Sequence, residues 1–343
     1  MYSFKNDYSE GAHPKILEAL ARASREQSDN YGYDRHSIHA AELIRKEMGG
    51  CDADVHFLEG GTQTNMVAIS SFLRPHEAAI AAATGHINVH ETGAIEATGH
   101  KVVTAASGNG KLTPELVKSV LDTHPNEHMV KPRLVYISDS TEVGTIYTKA
   151  ELTDLSKYCK DNGLYLYLDG ARLGSALTAL GNDVTLKDLA ELTDAFYIGG
   201  TKNGALLGEA LVICNPGLKE DFRYLLKQNG AMLAKGMVLG VQFEELFQNN
   251  LYFELAAHAN QLAEQLKQAI SAAGFDFLAT SPTNQLFPVF PDSLVEKLRQ
   301  TYDFEVWEKL NDSTAAIRLV TSWATPESAV KDFIRDFQSF LIQ

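Results

Sequence analysis

Short apolar runs that stop abruptly on small and charged residues recur along the first two thirds of the chain. Leu164-Tyr-Leu-Tyr-Leu168 breaks into Asp169-Gly-Ala-Arg172, and Ala195-Phe-Tyr-Ile198 breaks into Gly199-Gly-Thr-Lys202-Asn-Gly204. Runs of this length and composition predict buried strands. In an open α/β sheet the carboxyl end of a strand delivers side chains into a crevice. Asp169 and Lys202 are therefore expected to face one pocket.

Between the runs, apolar residues recur at helical spacing. Pro14 followed by Ile16, Leu17, Leu20 and Ala21 predicts a first helix, Ser28 to Asp34 a polar loop, and Ser37 to Met48 a second helix closed by Gly49-Gly50. Asp54 to Leu58, Ala78 to Ala82, Lys101 to Thr104, Leu134 to Ile137 and Glu209 to Cys214 read as further strands. Gly60-Gly61-Thr62 opens a helix through Ala68, Ile69 and Phe72, and Pro114 to Leu121 and Lys149 to Cys159 read as helices. This rhythm implies an α/β fold with a mostly parallel, doubly wound sheet. Helices are predicted next at Leu218 to Lys227, Val238 to Phe247 and Tyr252 to Ala272, with Gly274 marking a crossing. Strands at Gln285 to Phe290 and Ala316 to Val320, and helices near Pro291 to Tyr302 and Glu327 to Leu341, follow it. We divide the chain into a large domain, 1–250, and a smaller α+β domain, 251–343. No repeat or low-complexity linker separates them, so rigid packing is expected.

Composition narrows the class. The 343 residues are 45% hydrophobic and 22% charged, ordinary for a globular protein, and the net charge of −14 argues against nucleic acid and anionic membranes, which are bound through basic surfaces. Small molecules and copies of the chain itself are the expected partners. Cys51, Cys159 and Cys214 lie far apart with no partnering histidine cluster, so neither a disulfide framework nor a metal site is indicated. The start, Met1-Tyr-Ser-Phe-Lys-Asn-Asp7, has no signal-peptide pattern, and no apolar run approaches membrane-spanning length. A reducing cytoplasm is the expected location.

A lysine at a glycine-rich strand exit, with an aspartate at a neighbouring one, suits pyridoxal phosphate. The amine attaches the cofactor covalently and the carboxylate keeps its pyridine nitrogen protonated. Lys202 taken alone reads more readily as an ordinary surface lysine in a loop, and the surrounding pattern reverses that. The strand, glycine turn and helix start at Gly60-Gly61-Thr62 leave free N–H groups and a hydroxyl toward an anion such as phosphate. Arg318 sits on an otherwise apolar strand, where a guanidinium needs an anion, either a bound carboxylate or a protein acid.

Asp169-Gly-Ala-Arg172, Gly199-Gly-Thr-Lys202-Asn-Gly, Gly60-Gly-Thr-Gln-Thr-Asn65 and Thr141-Glu-Val-Gly144, in this order, give the chain its likeness to a known family. It resembles the threonine aldolases, within the aromatic β-eliminating lyase/threonine aldolase group of fold-type-I pyridoxal phosphate enzymes. The resemblance implies that Lys202 and Asp169 hold the cofactor, that Gly61 and Thr62 hold its phosphate with Thr201 nearby, and that His86 stacks on its ring with Glu91 behind. It also implies that Arg172 lies against the cofactor's phenolic oxygen and the substrate carboxylate, although a pairing of Arg172 with a protein acid stays open. Arg318 would hold the substrate carboxylate, His128 would lie near the substrate hydroxyl, and Asn6 and Tyr31 would border the substrate. Lys235, in Gly230-Ala-Met-Leu-Ala-Lys235-Gly236, would reach the phosphate of a neighbouring subunit, making the assembly a homodimer or homotetramer with shared sites. Residues 1 to about 12 would cross the domain interface.

The implied activity is cleavage of β-hydroxy-α-amino acids, threonine or allo-threonine among them, to glycine and an aldehyde, with His86 or His128 as the base. The rivals are β-elimination from a cysteine, tyrosine or tryptophan substrate, then aminotransfer or racemisation, then a non-catalytic protein that keeps the fold. Asn6 stands where the family usually carries serine, and Glu59 where many relatives have proline or asparagine, which leaves the exact amino acid open.

Overall fold

The computed structural model describes residues 1–342. A short strand β1 (Tyr2–Ser3) comes first. A seven-stranded sheet is then built from β2 (Asp54–Leu58), β3 (Glu77–Ala82), β4 (Val102–Ala105), β5 (Lys131–Ser138), β6 (Tyr165–Asp169), β7 (Ala195–Gly199) and β8 (Glu209–Ile213). Their spatial order is β2-β8-β7-β6-β5-β3-β4. Only β8 runs against its neighbours, and every pair from β7 across to β4 is parallel.

Side chains alternate across this sheet into two cores. Val135, Ile137, Leu166, Leu168, Phe196 and Ile198 enter one of them. Leu134, Tyr136, Tyr167, Ala195 and Tyr197 enter the other, beneath Val67, Ala68 and Ile69 of the helix Gly61–Phe72. Both faces are thus covered, which is why the strands read as nearly unbroken apolar runs. Each fully buried aromatic such as Phe196 contributes roughly 2–3 kcal/mol of burial. The order of the parallel strands reverses between β3 and β5, so a crevice opens at their carboxyl ends.

The remaining strands are β9 (Gln285–Leu286), β10 (Val289–Pro291), β11 (Tyr302–Asp303), β12 (Glu305–Lys309) and β13 (Thr314–Val320). β10 and β12 flank β13 antiparallel, β9 pairs with the end of β13, and β11 pairs with β1. Leu266, Ile270, Phe290, Ile317, Phe333 and Phe337 form their core together with Phe4. The long helix Leu251–Ala272 serves both halves: Leu251, Tyr252 and Leu255 pack in the core of the large sheet, and Leu262 onward in the C-terminal one. The N-terminal segment joins the halves as well. The N–H of Phe4 donates to the Asp303 carbonyl at 2.7 Å, and that of His13 to the Gly204 carbonyl at 2.8 Å.

Three departures from the sequence reading have local causes. The helix expected from Leu218 to Lys227 is a 3-10 turn, Pro216–Leu218, and a separate helix, Phe222–Gln228, because Asp221 adopts a left-handed φ of 55° between them. The strand expected from Gln285 to Phe290 divides at Phe287-Pro288, where proline has no N–H for the ladder. β12 was not anticipated, since Glu305-Val-Trp-Glu-Lys309 is half-exposed and carries no clear alternation.

Among the described residues no helix is long and apolar enough to cross a membrane. No group of three or more metal-binding side chains occurs among them either.

Candidate active site

The crevice is lined from the carboxyl ends of five strands and the amino end of antiparallel β8. The loops leaving β6 and β7 cross so closely that a Cβ on Gly170 would strike the Tyr197 carbonyl and one on Gly199 the Ala171 backbone. Glycine at both places lets Asp169 and Lys202 approach one space. An inner cavity of about 310 Å³ is lined by Lys202, Asp169, Gly61, Thr62, His86 and Thr201. An outer one of about 720 Å³ is lined by Asn6, His90, Arg318, Trp307 and Glu305, and Tyr8, Lys202, Arg172, His86 and Glu142 belong to both.

Asp169 is buried at the end of β6 on the same face as Tyr167. Its Oδ2 accepts from the Tyr136 hydroxyl at 2.6 Å and from Asn65 Nδ2 at 2.9 Å, and its Oδ1 from the Ala171 N–H at 3.0 Å. Burial alone would raise its pKa, but His86 and donors from Tyr136, Tyr197 and Asn65 outweigh burial and hold it below the ordinary aspartate value. Asp169 is thus a fixed negative charge. Lys202 is held low by burial first and by the Arg172 charge second, which brings its amine nearer the neutral, nucleophilic form.

His86 begins a short helix after β3, and its Nδ1 lies 2.7 Å from Glu91 Oε1. The same Glu91 oxygen accepts from Asn65 at 2.8 Å, so Asn65 joins the two buried carboxylates, Glu91 and Asp169. The helix Gly61–Phe72 starts from extended Gly60 with no side-chain cap, and its opening residues line the inner cavity. Uncapped N–H groups there suit an anion. Thr201 donates to Glu209 Oε1 at 2.9 Å while Gly200 N–H donates to Glu209 Oε2 at 3.1 Å, and burial pushes the Glu209 carboxyl up to about 8.

The two arginines differ. Arg172 gives Nε and Nη2 to the two oxygens of buried Asp7 at 2.7 and 3.0 Å, realising the protein-acid pairing that the sequence left open. Arg318 bonds Glu305 at 2.6 Å and lies 5.2 Å from the Trp307 ring, and its buried Nε has no protein partner among the described residues. Asn6 reaches the outer cavity, although its Oδ1 already accepts from Tyr8 N–H and the Ser9 hydroxyl.

Three residues expected at the site are not brought there by this chain. His128 is exposed in the turn that leads into β5, at the amino end of a parallel strand and so at the opposite edge of the sheet from Lys202. Tyr31 borders a separate cavity of about 170 Å³ with His56 and Arg223, held by a left-handed backbone and by Lys227 4.4 Å from its ring. Lys235 is exposed just before the helix Met237–Gln248, outside the cavities around Lys202. Conversely, Asp7, Tyr8, Asn65, Tyr136, Glu142, Tyr197 and Glu209 shape the site without a role having been read for them. Strand parity was the available signal for Tyr197, and motif membership for Asn65 and Glu142.

The family model described as beta-eliminating lyase matches residues 5–292. A low specificity L-threonine aldolase from a Pseudomonas species is 33% identical, covering 98% of this chain and 97% of its own. A Leishmania major threonine aldolase structure superimposes with a TM-score of 0.98 at 52% identity, covering 99% of this chain and all of that one. The aspartate aminotransferase of Thermus thermophilus shares the fold at a TM-score of 0.72 and 14% identity, covering 99% of this chain and 91% of its own, which places the architecture in fold type I. Buried aspartate, perturbed lysine and uncapped helix start thus lie in a chain that belongs to the beta-eliminating lyase family, in its threonine aldolase group.

Proposed function

We propose that this protein is a pyridoxal phosphate-dependent aldolase that cleaves L-threonine, L-allo-threonine and related β-hydroxy-α-amino acids to glycine and an aldehyde. One observation carries the reading: a single crevice gathers a perturbed lysine, an ionised buried aspartate, an uncapped helix start and an arginine with an unpartnered nitrogen. Those residues fit the cofactor's functional groups one by one. Lys202 would hold it covalently, Asp169 its pyridine nitrogen, and Gly61 and Thr62 its phosphate, with Thr201 beside them and His86 against its ring. Bound there, pyridoxal phosphate supplies an electron sink that allows a bond to Cα of an amino acid to break.

The chain's own residues do the rest. Arg318 takes the substrate carboxylate, because it lines the outer cavity and its partner Glu305 is half-exposed and displaceable, where Arg172 is bound on two nitrogens to buried Asp7. Arg172 adds a fixed positive charge, and Asn6 borders the same space. Fixing the carboxylate selects which bond at Cα stands ready to break. His86, tied by Nδ1 to Glu91, keeps its ring in place. Residues 251–343, which carry Arg318, act as the smaller domain closing over the crevice of residues 1–250.

A product screen with threonine, allo-threonine, phenylserine, serine and cysteine tests the reading. Glycine with an aldehyde is expected, and pyruvate with ammonia as the main products would transfer the protein to β-elimination.

We infer self-association through Lys235, an exposed cation in the small-residue segment Gly230–Gly236 that lines neither cavity around Lys202. We infer that it reaches the phosphate of a second copy. Mixing Lys202→Ala with Lys235→Ala subunits under exchange should then restore activity, and proven exchange without recovery overturns the shared site.

A further inference from the structure

Glu142 follows β5, and its Oε1 accepts twice, from the Ser138 hydroxyl at 2.8 Å and from the His86 N–H at 2.9 Å. These two bonds lock the carboxylate. Its Oε2 has no protein donor among the described residues and is not among the buried unpartnered atoms, so it opens to the crevice where the inner and outer cavities meet. One anchored oxygen and one free oxygen beside Lys202, Arg172 and His86 is the geometry of a positioned proton acceptor.

The other unusual carboxyls lack this arrangement. Glu209 has both oxygens engaged, by Thr201 and Gly200. Asp139, which burial pushes up to about 8, faces the Tyr147 N–H and lines neither cavity. Asp169 is saturated by donors.

We propose that Glu142 is the catalytic base for the β-hydroxyl group, the role the sequence reading divided between His86 and His128. This rests on the aldolase reading above. As the Cα–Cβ bond breaks, the hydroxyl proton passes to Glu142 Oε2 and the oxygen becomes the aldehyde carbonyl. The bonding electron pair stays with Cα of the glycine half, which later takes up one proton, so the balance closes at glycine plus aldehyde with no other reactant.

The charges around Glu142 favour proton exchange. Burial first and the Asp169 carboxylate second raise its pKa, while His86 and the hydrogen bonds to its carboxylate oppose them; Arg172, Lys202, Tyr136 and Tyr147 also act on it or stand beside it, and Tyr8, His90, Tyr197 and Glu209 line the same two cavities. Asp169 is driven the other way, and two carboxyls pushed apart in one site divide the work between a permanent charge and a proton carrier.

The test compares wild type with Glu142→Gln and Glu142→Asp. In Glu142→Gln, aldehyde release from phenylserine should fall by about 100-fold or more, the scale of a lost general base. Exchange of the glycine α-proton with deuterated solvent, which involves no β-hydroxyl, should continue near the wild-type rate and also certifies that the variant is folded. Glu142→Asp should recover part of the loss, and the acidic limb of the wild-type kcat profile should vanish in Glu142→Gln. Independently of turnover, difference infrared spectroscopy should find a carboxyl band that titrates above the ordinary glutamate range in wild type and is absent from Glu142→Gln. Full aldehyde release in Glu142→Gln, or equal loss of cleavage and glycine exchange, overturns the assignment while the aldolase reading stands. A wild type that releases no aldehyde overturns both.

Discussion

Arg172 and Arg318 border one cavity, and the contrast between their surroundings separates what the site builds shut from what it leaves open. Arg172 is bound by both oxygens of Asp7, and Asp7 takes a further bond from Asn284 at 3.0 Å, so three distant stretches of chain are tied together in the interior. Arg318 is held by one acid, Glu305, whose side chain is 43% exposed, and keeps a buried nitrogen unpartnered. A guanidinium engaged on two nitrogens by a fully buried acid braces the fold. One that meets only a half-exposed acid on the wall of the outer cavity can exchange it for a carboxylate from outside.

The largest effect should come at the amine that the braced interior surrounds. Lys202→Ala is expected to reduce turnover to background while circular dichroism and melting temperature stay near wild type, because the change removes a reacting group and no packing. A wild-type-like rate in that variant would reject the central assignment.

Asp169→Asn should cost about 100-fold in kcat, the scale of one preorganised electrostatic interaction in a buried site. Cofactor occupancy, read from the visible spectrum, should change far less. Equal rates at saturating cofactor would give Asp169 another task.

Breaking the brace should appear as lost stability. Asp7→Ala leaves Arg172 buried without its partner and is expected to destabilise the chain by about 3–5 kcal/mol in denaturant unfolding. Burial opposes ionisation of Asp7, but the Arg172 and Lys202 charges and bonds from Arg172 and Asn284 keep its pKa below the ordinary aspartate value. A carboxyl depressed in the folded state contributes stability above its unfolded pKa. That contribution is lost as pH falls through the lowered folded value, so wild type should gain on Asp7→Ala above the ordinary aspartate range and the two should converge in acid. A constant gap across that range would show that the pairing is not what stabilises.

The smallest effects belong to the open arginine. Arg318→Lys should raise KM for amino acids by about 10-fold or more, since charge-assisted hydrogen bonds contribute roughly 1.5–3 kcal/mol and an ammonium does not reproduce the planar grip. Glu305→Gln should move KM only a few-fold, in line with about 0–1 kcal/mol for a half-exposed ion pair. If the two variants shift KM equally, Arg318 is a structural residue like Arg172.

Much of this site was legible because local pattern and strand direction suffice for it. Buried strands require apolar runs, and the residues that end them at the carboxyl edge share a crevice, so Asp169 and Lys202 could be placed together from periodicity, while the Gly61 turn read only as an anion site until the family resemblance joined it to them. His128 shows the same rule unused: it precedes its strand where the others follow theirs, and a parallel sheet sends such a residue to the far edge. The rest depended on packing. That Arg172 chooses Asp7, 165 positions away, that Asn65 bridges Glu91 and Asp169, and that the anchored oxygen of Glu142 leaves the other facing the crevice are outcomes of how layers and crossing loops seat against one another. Periodicity reports which face a residue occupies, because that depends on backbone geometry alone. Among many acids on suitable faces, only the close approach of distant segments decides which carboxylate meets which cation, and which polar atom is left without a partner.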